Sequence, residues 1–574
     1  MNWQTIYENW KNDASLEPEL MEELIEKEQD IAALKDAFYT PLEFGTAGMR
    51  GVIGAGINRM NSYTVRQATE GLALFMDSLG EAVKKRGVAI AYDSRHKSPE
   101  FAIEAAKTLG AHGIQSYVFE SLRPTPELSF AVRHLNAFAG IMITASHNPA
   151  AYNGYKVYGA DGGQMPPHDA DALTTYVRSI ENNLAIKVAN EADLKASGLL
   201  KIIGEEIDTP YLEELRSVTV NPDLIKEMDS QMKLVFTPLH GTGQMLGERA
   251  LKNAGFNSVS IVPEQAIADG DFPTVKSPNP EEHSAFELAI ALGEKEGADV
   301  LIATDPDADR LGVAVRLPNG QYEVLSGNQI AALMLSYLLE AHKEQGTLPA
   351  NAVALKSIVS SELATAIAAA YDVKMIDVLT GFKFIAEKIK QYEEDDSQTF
   401  MFGFEESYGY LIKPFVRDKD AIQALVLISE VAAYYKKQGK TLYDGLQDIL
   451  ATYGHFKEKT ISVTMAGIEG TEKIKALMAQ FRAEAPTEFG GVAVQAVEDF
   501  SVSQRRFMDG KVEEIEMPAS DVLKYSLADG SWIAIRPSGT EPKIKFYIGA
   551  VAQTAVEVDE KITAFEKKIQ ALSA

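Results

Sequence analysis

From residue 41 onward, short apolar runs that end in turn residues alternate with helix-like segments; the runs fall at 88–92, 137–143, 233–236, 300–303 and 353–355. Strands alternating with helices build α/β units, with the helices laid over a mostly parallel sheet. Ligands bind at the carboxyl ends of the strands in such open sheets, so the loops directly after the runs are where chemistry is expected. The ends of the chain read differently. Trp3, Ile6, Tyr7 and Trp10, then Leu20, Met21, Leu24 and Ile25, recur at helical spacing and predict amphipathic helices that pack on something downstream. At the far end a strand at 532–535, a turn at 537–539, a second strand at 544–548 and a closing helix indicate an α+β unit. A chain of 574 residues is too long for one core, and at about 150 residues per domain it divides into roughly four. Polar stretches set the expected segments at 1–205, 206–320, 321–455 and 456–574.

The formal charge of −27 would repel nucleic acid and acidic lipid over most of the surface, and no basic patch offsets it. Small molecules are the expected partners, and an anionic one needs a locally positive cleft. With no cysteine there is no disulfide framework, thiolate zinc site or cysteine nucleophile. Glu8, Lys11 and Asp13 interrupt the apolar residues of the N-terminus, and the apolar run 330–339 is too short to span a bilayer. These features predict a cytoplasmic location.

Thr144-Ala145-Ser146-His147-Asn148-Pro149 follows the run 137–143 as a loop follows a buried strand. Ser146 is a candidate phosphate carrier, although Ser, Asn and Pro are also ordinary turn residues. After the run 300–303, Thr304-Asp305-Pro306-Asp307-Ala308-Asp309-Arg310 places three carboxylates at alternate positions in a loop stiffened by proline. Hard oxygen ligands at that density suit Mg2+ or Mn2+. A calcium loop also begins with alternating Asp, but it needs Gly at its sixth position and Glu at its twelfth; here those are Arg310 and Arg316. The other reading is a solvated acidic turn. Magnesium completes its shell with water or phosphate oxygen, so the metal reading implies a phosphate nearby.

Arg536-Pro537-Ser538-Gly539-Thr540-Glu541-Pro542-Lys543 supplies a guanidinium fork, two hydroxyls and flexible backbone N–H groups, the parts of an anion nest, or equally of a routine hairpin. The stretch from Phe44 to Gly51, with Arg50 among glycines, offers a similar but sparser set. His240-Gly241-Thr242-Gly243-Gln244-Met245-Leu246-Gly247, with Glu264 beyond it, imitates a dinucleotide fingerprint. Four residues separate its first glycine from the preceding run and its third glycine is displaced by one, both of which count against the dinucleotide reading.

Taken together, these loops resemble the α-D-phosphohexomutase family, in its longer-chain phosphoglucomutase branch. The resemblance rests on residues 144–149 as a phosphoserine loop, 305–310 as a metal loop, Gly403-Phe404-Glu405-Glu406-Ser407 as a sugar loop and 536–540 as a phosphate loop, in matching order over nearly the whole chain. It implies a four-domain, heart-shaped molecule of three related α/β domains and a smaller C-terminal α+β domain, each lending one loop to a central cleft. Carried over by motif, Ser146 holds a transferable phosphate, and Asp305, Asp307 and Asp309 bind Mg2+ together with a phosphoserine oxygen. Arg50, Lys156 and His147 stand near the transfer centre. Arg310, Thr380 and Gly381 of Thr380-Gly381-Phe382-Lys383, Glu405, Ser407, Lys419, Arg536, Ser538, Gly539 and Thr540 contact the substrate.

The implied activity is interconversion of glucose 1-phosphate and glucose 6-phosphate, with glucose 1,6-bisphosphate as intermediate and activator. In-line phosphoryl transfer develops charge that a cation stabilises, and little covalent work is left to the protein. A base and an acid are also required; Lys156 and His147 are both candidates, and His147 has the equal alternative of holding the loop. The cleft should close over the bisphosphate, with the terminal domain as a lid, because water would otherwise take the phosphate from Ser146. A sugar-phosphate phosphatase would not need Glu405 to Ser407 with a second grip at Arg536, and a non-catalytic sensor would not need Ser146 and all three aspartates. The sugar loop differs from the Gly-Glu-Met-Ser-Gly form of the dual mannose/glucose mutases, and phosphopentomutases of the long branch share much of the pattern, so glucose is favoured over pentose and mannose.

Overall fold

The computed structural model describes residues 2–42, 48–165, 167–465, 467–538 and 543–573. They form four sheets of six, five, four and eight strands and fall into two compact units. The first comprises Met1–Ile330, Phe382–Phe402 and Ser407–Leu442; the second comprises Ala331–Gly381, Gly403–Glu406 and Tyr443–Ala574.

In the first unit, helices Trp3–Lys11, Pro18–Glu26 and Ile31–Phe38 bury Tyr7, Trp10, Leu24 and Phe38 against Tyr63. They brace the segment after the strand Met49–Val52, since the Glu23 carboxylate accepts the Ala55 N–H at 2.8 Å. The six-stranded sheet is centred on Val88–Tyr92, every residue of it buried, as befits a strand covered on both faces. Ser116–Phe119 and Ala139–Ile143 run parallel to it on either side. In the five-stranded sheet Leu234–Thr237 pairs in parallel with both Val259–Ile261 and Val300–Thr304.

The expected alternation of strand and helix fails at the two places that matter most. Ala139–Ile143 is followed by an antiparallel partner, Tyr152–Tyr158, and Val300–Thr304 by another, Leu311–Arg316. Both connections are too short to carry a crossover helix, so the chain doubles back. The serine and aspartate loops are therefore hairpin tips anchored on both sides by ladder hydrogen bonds.

In the second unit, Ala352–Ser357 and Lys374–Val378 form a parallel pair joined by helix Glu362–Ala370. The C-terminal sheet is largely antiparallel, and in it Trp532–Pro537 lies between Leu523–Leu527 and Lys543–Ala552. Helices Gly467–Ala483 and Ala555–Ser573 cover it, burying Met478, Phe481, Ile562 and Phe565 against Ile533, Ile535, Phe546 and Ile548. Pro537 is the last residue of a strand, whereas the sequence pattern starts a turn there; its pairing with Ile544 carries the ladder one step further. Among the described residues no helix is long and apolar enough to cross a membrane.

Candidate active site

Ser146 sits at the hairpin tip with φ of 51°, a left-handed conformation that is uncommon outside glycine, Asn and Asp and costs about 1–3 kcal/mol. It is only 2 % exposed, not a surface serine. Its hydroxyl donates to Asp305 Oδ2 at 2.6 Å and lies 3.3 Å from His147 Nδ1, while its N–H donates to Thr144 Oγ1 at 2.8 Å. The tip is clamped from beneath by Arg95. That guanidinium donates to the carbonyls of Ser146, Asn148, Pro149 and Tyr152 and sits 3.4 Å from Asp93. Asp93 in turn accepts from the hydroxyls of Thr144 and Ser98. No sequence motif marks the Asp93–Arg95 pair; the one available signal is its position at the carboxyl end of the wholly apolar strand Val88–Tyr92.

Asp305, Asp307 and Asp309 are all buried, and one oxygen of each lies within 4.8 Å of the others. Lys156 Nζ donates to Asp307 Oδ2 at 2.9 Å and stands 3.7 Å from Asp309, while Lys419 Nζ lies 3.2 Å from Asp309. Thr125 Oγ1 also donates to Asp307, at 2.8 Å. Asp305 Oδ1 accepts the N–H groups of Asp309 and Arg310, which curls the loop inward. Burial and the neighbouring Asp307 and Asp309 push the Asp305 carboxyl well above its ordinary range. Burial acts the same way on Asp307, but the Lys156 ammonium outweighs it and holds that group below the usual carboxylate range. Among the described residues, Asp307 Oδ1 and Asp309 Oδ1 are buried without a hydrogen-bond partner. Unpaired carboxylate oxygens are costly in a protein interior, and a divalent cation held by hard oxygen donors satisfies them. The residues fit a metal.

Arg50, on the strand Met49–Val52, faces Gly154 in register, and its buried Nε has no partner among the described residues. A side chain at Gly154 would place Cβ 2.5 Å from the Thr144 carbonyl, so glycine there lets the serine hairpin and the Arg50 strand close up. His147 is depressed well below an ordinary imidazole by burial, then by Arg310 and Arg50, and is neutral. Arg310 pairs with Glu281 at 2.7 Å. Arg50, Lys156, Arg310 and Lys419 supply positive charge around the three carboxylates. Ser407, half-buried, also belongs to the first unit.

The second unit brings together another set. Glu405 Oε1 accepts the Gly381 N–H at 2.7 Å, and Gly381 has φ of 124°. Thr380 Oγ1 is buried without a hydrogen-bond partner among the described residues. Arg536 hydrogen-bonds the Tyr547 side chain, whose hydroxyl is raised by burial and then by Glu406. The Ser538 N–H donates to the Lys543 carbonyl at 2.7 Å. Gly539, Thr540 and residues 44–47 of the first glycine-rich motif lie outside the described residues.

The fingerprint-like glycines have another use. A Cβ at Gly241 would stand 2.3 Å from Pro306 Cα and one at Gly243 2.5 Å from Thr304 Oγ1, while Thr242 donates twice to the Pro306 carbonyl. The motif seats the aspartate loop by close backbone approach.

Four hairpin and strand-end loops with these side chains define a class. Models of the phosphoglucomutase/phosphomannomutase alpha/beta/alpha domains I, II and III match residues 41–184, 209–319 and 326–453, and that of the family's C-terminal domain matches 477–564. The chain belongs to the phosphoglucomutase/phosphomannomutase family. Among its relatives, the phosphoglucomutase of Staphylococcus epidermidis is 43 % identical over 516 residues, covering 90 % of this chain and 91 % of its own. That of Staphylococcus aureus is 40 % identical over 546 residues, covering 95 % and 96 %. In fold the chain is similar to the Paramecium phosphoprotein pp63/parafusin in open form, at TM-score 0.67 and 19 % identity, covering 93 % of this chain and 95 % of that one. A Burkholderia thailandensis family protein gives TM-score 0.63 at 17 % identity, covering 92 % and 97 %.

Proposed function

We propose that this chain is a phosphoglucomutase, an isomerase that interconverts α-D-glucose 1-phosphate and glucose 6-phosphate through phospho-Ser146 and glucose 1,6-bisphosphate. The observation that carries the reading is the Ser146 hydroxyl 2.6 Å from Asp305, inside a buried tri-aspartate cluster tied by Lys156. In the first half-reaction the bond from phosphorus to Ser146 Oγ breaks and one to the free sugar hydroxyl forms, the sugar proton leaving to a base. After the bisphosphate reorients, its other phosphate returns to Ser146. His147 would take the serine proton as the phosphate returns and give it back as Ser146 Oγ leaves, a role supported by its 3.3 Å contact with that hydroxyl. Lys156 and Arg50 oppose the negative charge that gathers on the transferring oxygens.

Asp305, Asp307 and Asp309 would hold Mg2+, which supplies Lewis-acid neutralisation of the phosphoryl oxygens. Glu405, Ser407 and the backbone at Gly381 would grip the sugar, and Arg310, Lys419, Arg536, Ser538, Gly539 and Thr540 the phosphate that is not reacting. Segments 1–205, 206–320, 321–455 and 456–574 would each supply one of these loops. The absence of cysteine and the charge of −27 support a cytoplasmic setting with small sugar phosphates as partners.

The test supplies the purified protein with Mg2+, a trace of glucose 1,6-bisphosphate and the 1-phosphates of glucose, mannose and ribose. Glucose 1-phosphate should turn over fastest, and Ser146→Ala should drop to background with stability changed by about 1 kcal/mol. Fastest turnover of ribose 1-phosphate would make it a phosphopentomutase instead. Release of free phosphate in place of isomer would make it a phosphatase.

A further inference from the structure

The connection 267–281 joins the helix Pro263–Ala266 to the helical turn His283–Phe286 and carries no motif legible in the sequence. It nevertheless runs from one hairpin of the candidate active site to the other. Its start is stapled to the strand Leu234–Thr237, where Thr237 Oγ1 donates to Gln265 Oε1 at 2.6 Å and Gln265 Nε2 donates to Thr274 Oγ1 at 3.1 Å. His240, 1 % exposed, closes the staple: its Nδ1 donates to the Ile267 carbonyl at 2.9 Å, since a carbonyl only accepts, and its Nε2 lies 2.8 Å from Thr274 Oγ1. The fingerprint-like motif thus anchors this segment through His240, as it seats the aspartate loop through Gly241 and Thr242.

The tip presses on the clamp of the serine hairpin. A Cβ at Gly270 would stand 2.8 Å from the His96 nitrogen and 3.0 Å from the Ser94 carbonyl oxygen, so glycine lets the two backbones meet. Phe272 is buried and carries the Arg95 guanidinium over its ring, Cζ standing 5.0 Å from the centroid. Leu239, His240 and Phe272 have φ of 46°, 63° and 47°, a region that bulky side chains rarely enter and that persists only where the surroundings impose it. Four carbonyls of the hairpin accept from that guanidinium, and an aromatic face holds such a cation most firmly where water is excluded. Further along, Ser277 Oγ reaches the His147 carbonyl at 3.4 Å. Pro280 then lies against the returning strand Leu311–Arg316, where a Cβ at Gly312 would stand 2.3 Å from its carbonyl oxygen, and Glu281 pairs with Arg310.

We propose that 267–281 is a positioning strap and Phe272 a positioning residue, which acts through Arg95 to hold Ser146 Oγ at Asp305. This rests on the mutase reading. Ser146 must give up and recover phosphate at the same aspartate cluster in both half-reactions, while the sugar turns over between them. The two hairpin tips therefore have to keep one spacing, which in the structure is the 2.6 Å from Ser146 Oγ to Asp305. They belong to different sheets, so neither ladder fixes it. A segment rooted beside the aspartate loop and closed over the clamp of the serine hairpin does.

The test compares wild type with Phe272→Leu, which keeps an apolar side chain but loses the ring face, with Arg95→Lys, and with the double variant of the two. Hydrogen–deuterium exchange of the peptide 144–152 reads the hairpin without catalysis, and kcat and KM for glucose 1-phosphate are read under saturating Mg2+. Phe272→Leu should exchange about tenfold faster in that peptide and lose about tenfold in kcat. Its KM should stay within about twofold of wild type, because the groups that grip the substrate are unchanged. The double variant should have the kcat of Arg95→Lys alone, since Phe272 acts through Arg95 and coupled losses do not add. If Phe272→Leu does not fold, Thr274→Val carries the test: it takes one hydroxyl from the staple, and a smaller change in exchange and kcat is expected. Unchanged exchange and kcat in the folded variants overturn the strap, as does a double variant whose loss is the full product of the single losses. A wild type that makes no glucose 6-phosphate overturns the mutase reading, and the exchange measurement alone then decides whether the strap holds the hairpin.

Discussion

Replacing Arg95 removes the clamp on the backbone of the proposed nucleophile while leaving every side chain assigned to the reaction unchanged. In Arg95→Met, Asp93 keeps the hydroxyls of Thr144 and Ser98 and one backbone N–H, but it loses its buried cation. Removing one partner of a buried pair costs about 3–5 kcal/mol, because the survivor stays desolvated. Four carbonyls lose the guanidinium as donor as well, although that of Pro149 keeps the Tyr152 N–H. At about 1.5–3 kcal/mol per charge-assisted bond, the bond-by-bond total would approach the whole stability of a typical domain. The hairpin tip would therefore relax and hydrate its carbonyls before losing that much, and the expected loss stays near the buried-pair figure. Arg95→Lys separates the two effects. A lysine keeps a charge near Asp93, so stability should fall by only about 1–2 kcal/mol, but its single point of donation cannot span four acceptors. Ser146 then shifts, and a displacement of about 1 Å at a reacting group is worth about 100-fold in rate. Denaturant midpoints for both variants, with isomer formation measured by a coupled assay, test this directly. Wild-type kcat in Arg95→Lys would refute the clamp. So would a double variant, Asp93→Asn with Arg95→Met, that loses as much as the two singles added together, since coupled residues must fall short of that.

The same geometry sets other expectations. Asp307→Asn takes the charge from the 2.9 Å partner of Lys156 and removes one of the three carboxylates; calorimetry should show at least tenfold weaker Mg2+ binding, and unchanged affinity would dismiss the metal loop. Gly241→Ala drives a Cβ into Pro306 backbone at 2.3 Å; it should cost about 1–3 kcal/mol and weaken Mg2+ binding from a distance, measured by thermal unfolding with and without the ion. Asp420, which caps the helix Ala421–Lys437, is raised by burial from 3.8 to about 6. The folded carboxyl keeps its proton to higher pH than the unfolded one, so this contribution is complete below about pH 4 and lost as pH rises to about 6, worth ~3 kcal/mol. Asp420→Asn keeps the capping oxygen and should abolish that part of the pH dependence; an identical profile in the variant would contradict it.

Much of the site is legible in the sequence because its chemistry is concentrated in short contiguous strings. Ser146 and the three aspartates sit in loops and Glu405 ends the strand Thr399–Glu405, each in a string whose residue types state their use, and the apolar runs ahead of the serine and aspartate loops mark their strands. Arg95 is not legible because Asp-Ser-Arg carries no such statement: its meaning comes from four carbonyls at positions 146, 148, 149 and 152, distant in sequence. The same is true of Thr125, which donates to a carboxylate 182 positions away.

Local pattern determined where strands fall, which loops are polar and which hold acid or base, since periodicity and turn chemistry act over a few residues. It could not decide whether a helix or a returning strand comes after each of them. The turns after Ile143 and Thr304 return antiparallel because ladder pairing with the preceding strand wins, and that contest is settled by sheet neighbours that the local string does not contain. Nor could it tell a glycine kept for pyrophosphate from Gly241, kept for Pro306. Charge state was likewise a tertiary matter: Asp305 and Asp307 are the same residue two positions apart, yet burial beside two carboxylates raises one, while Lys156, brought in from another hairpin, lowers the other.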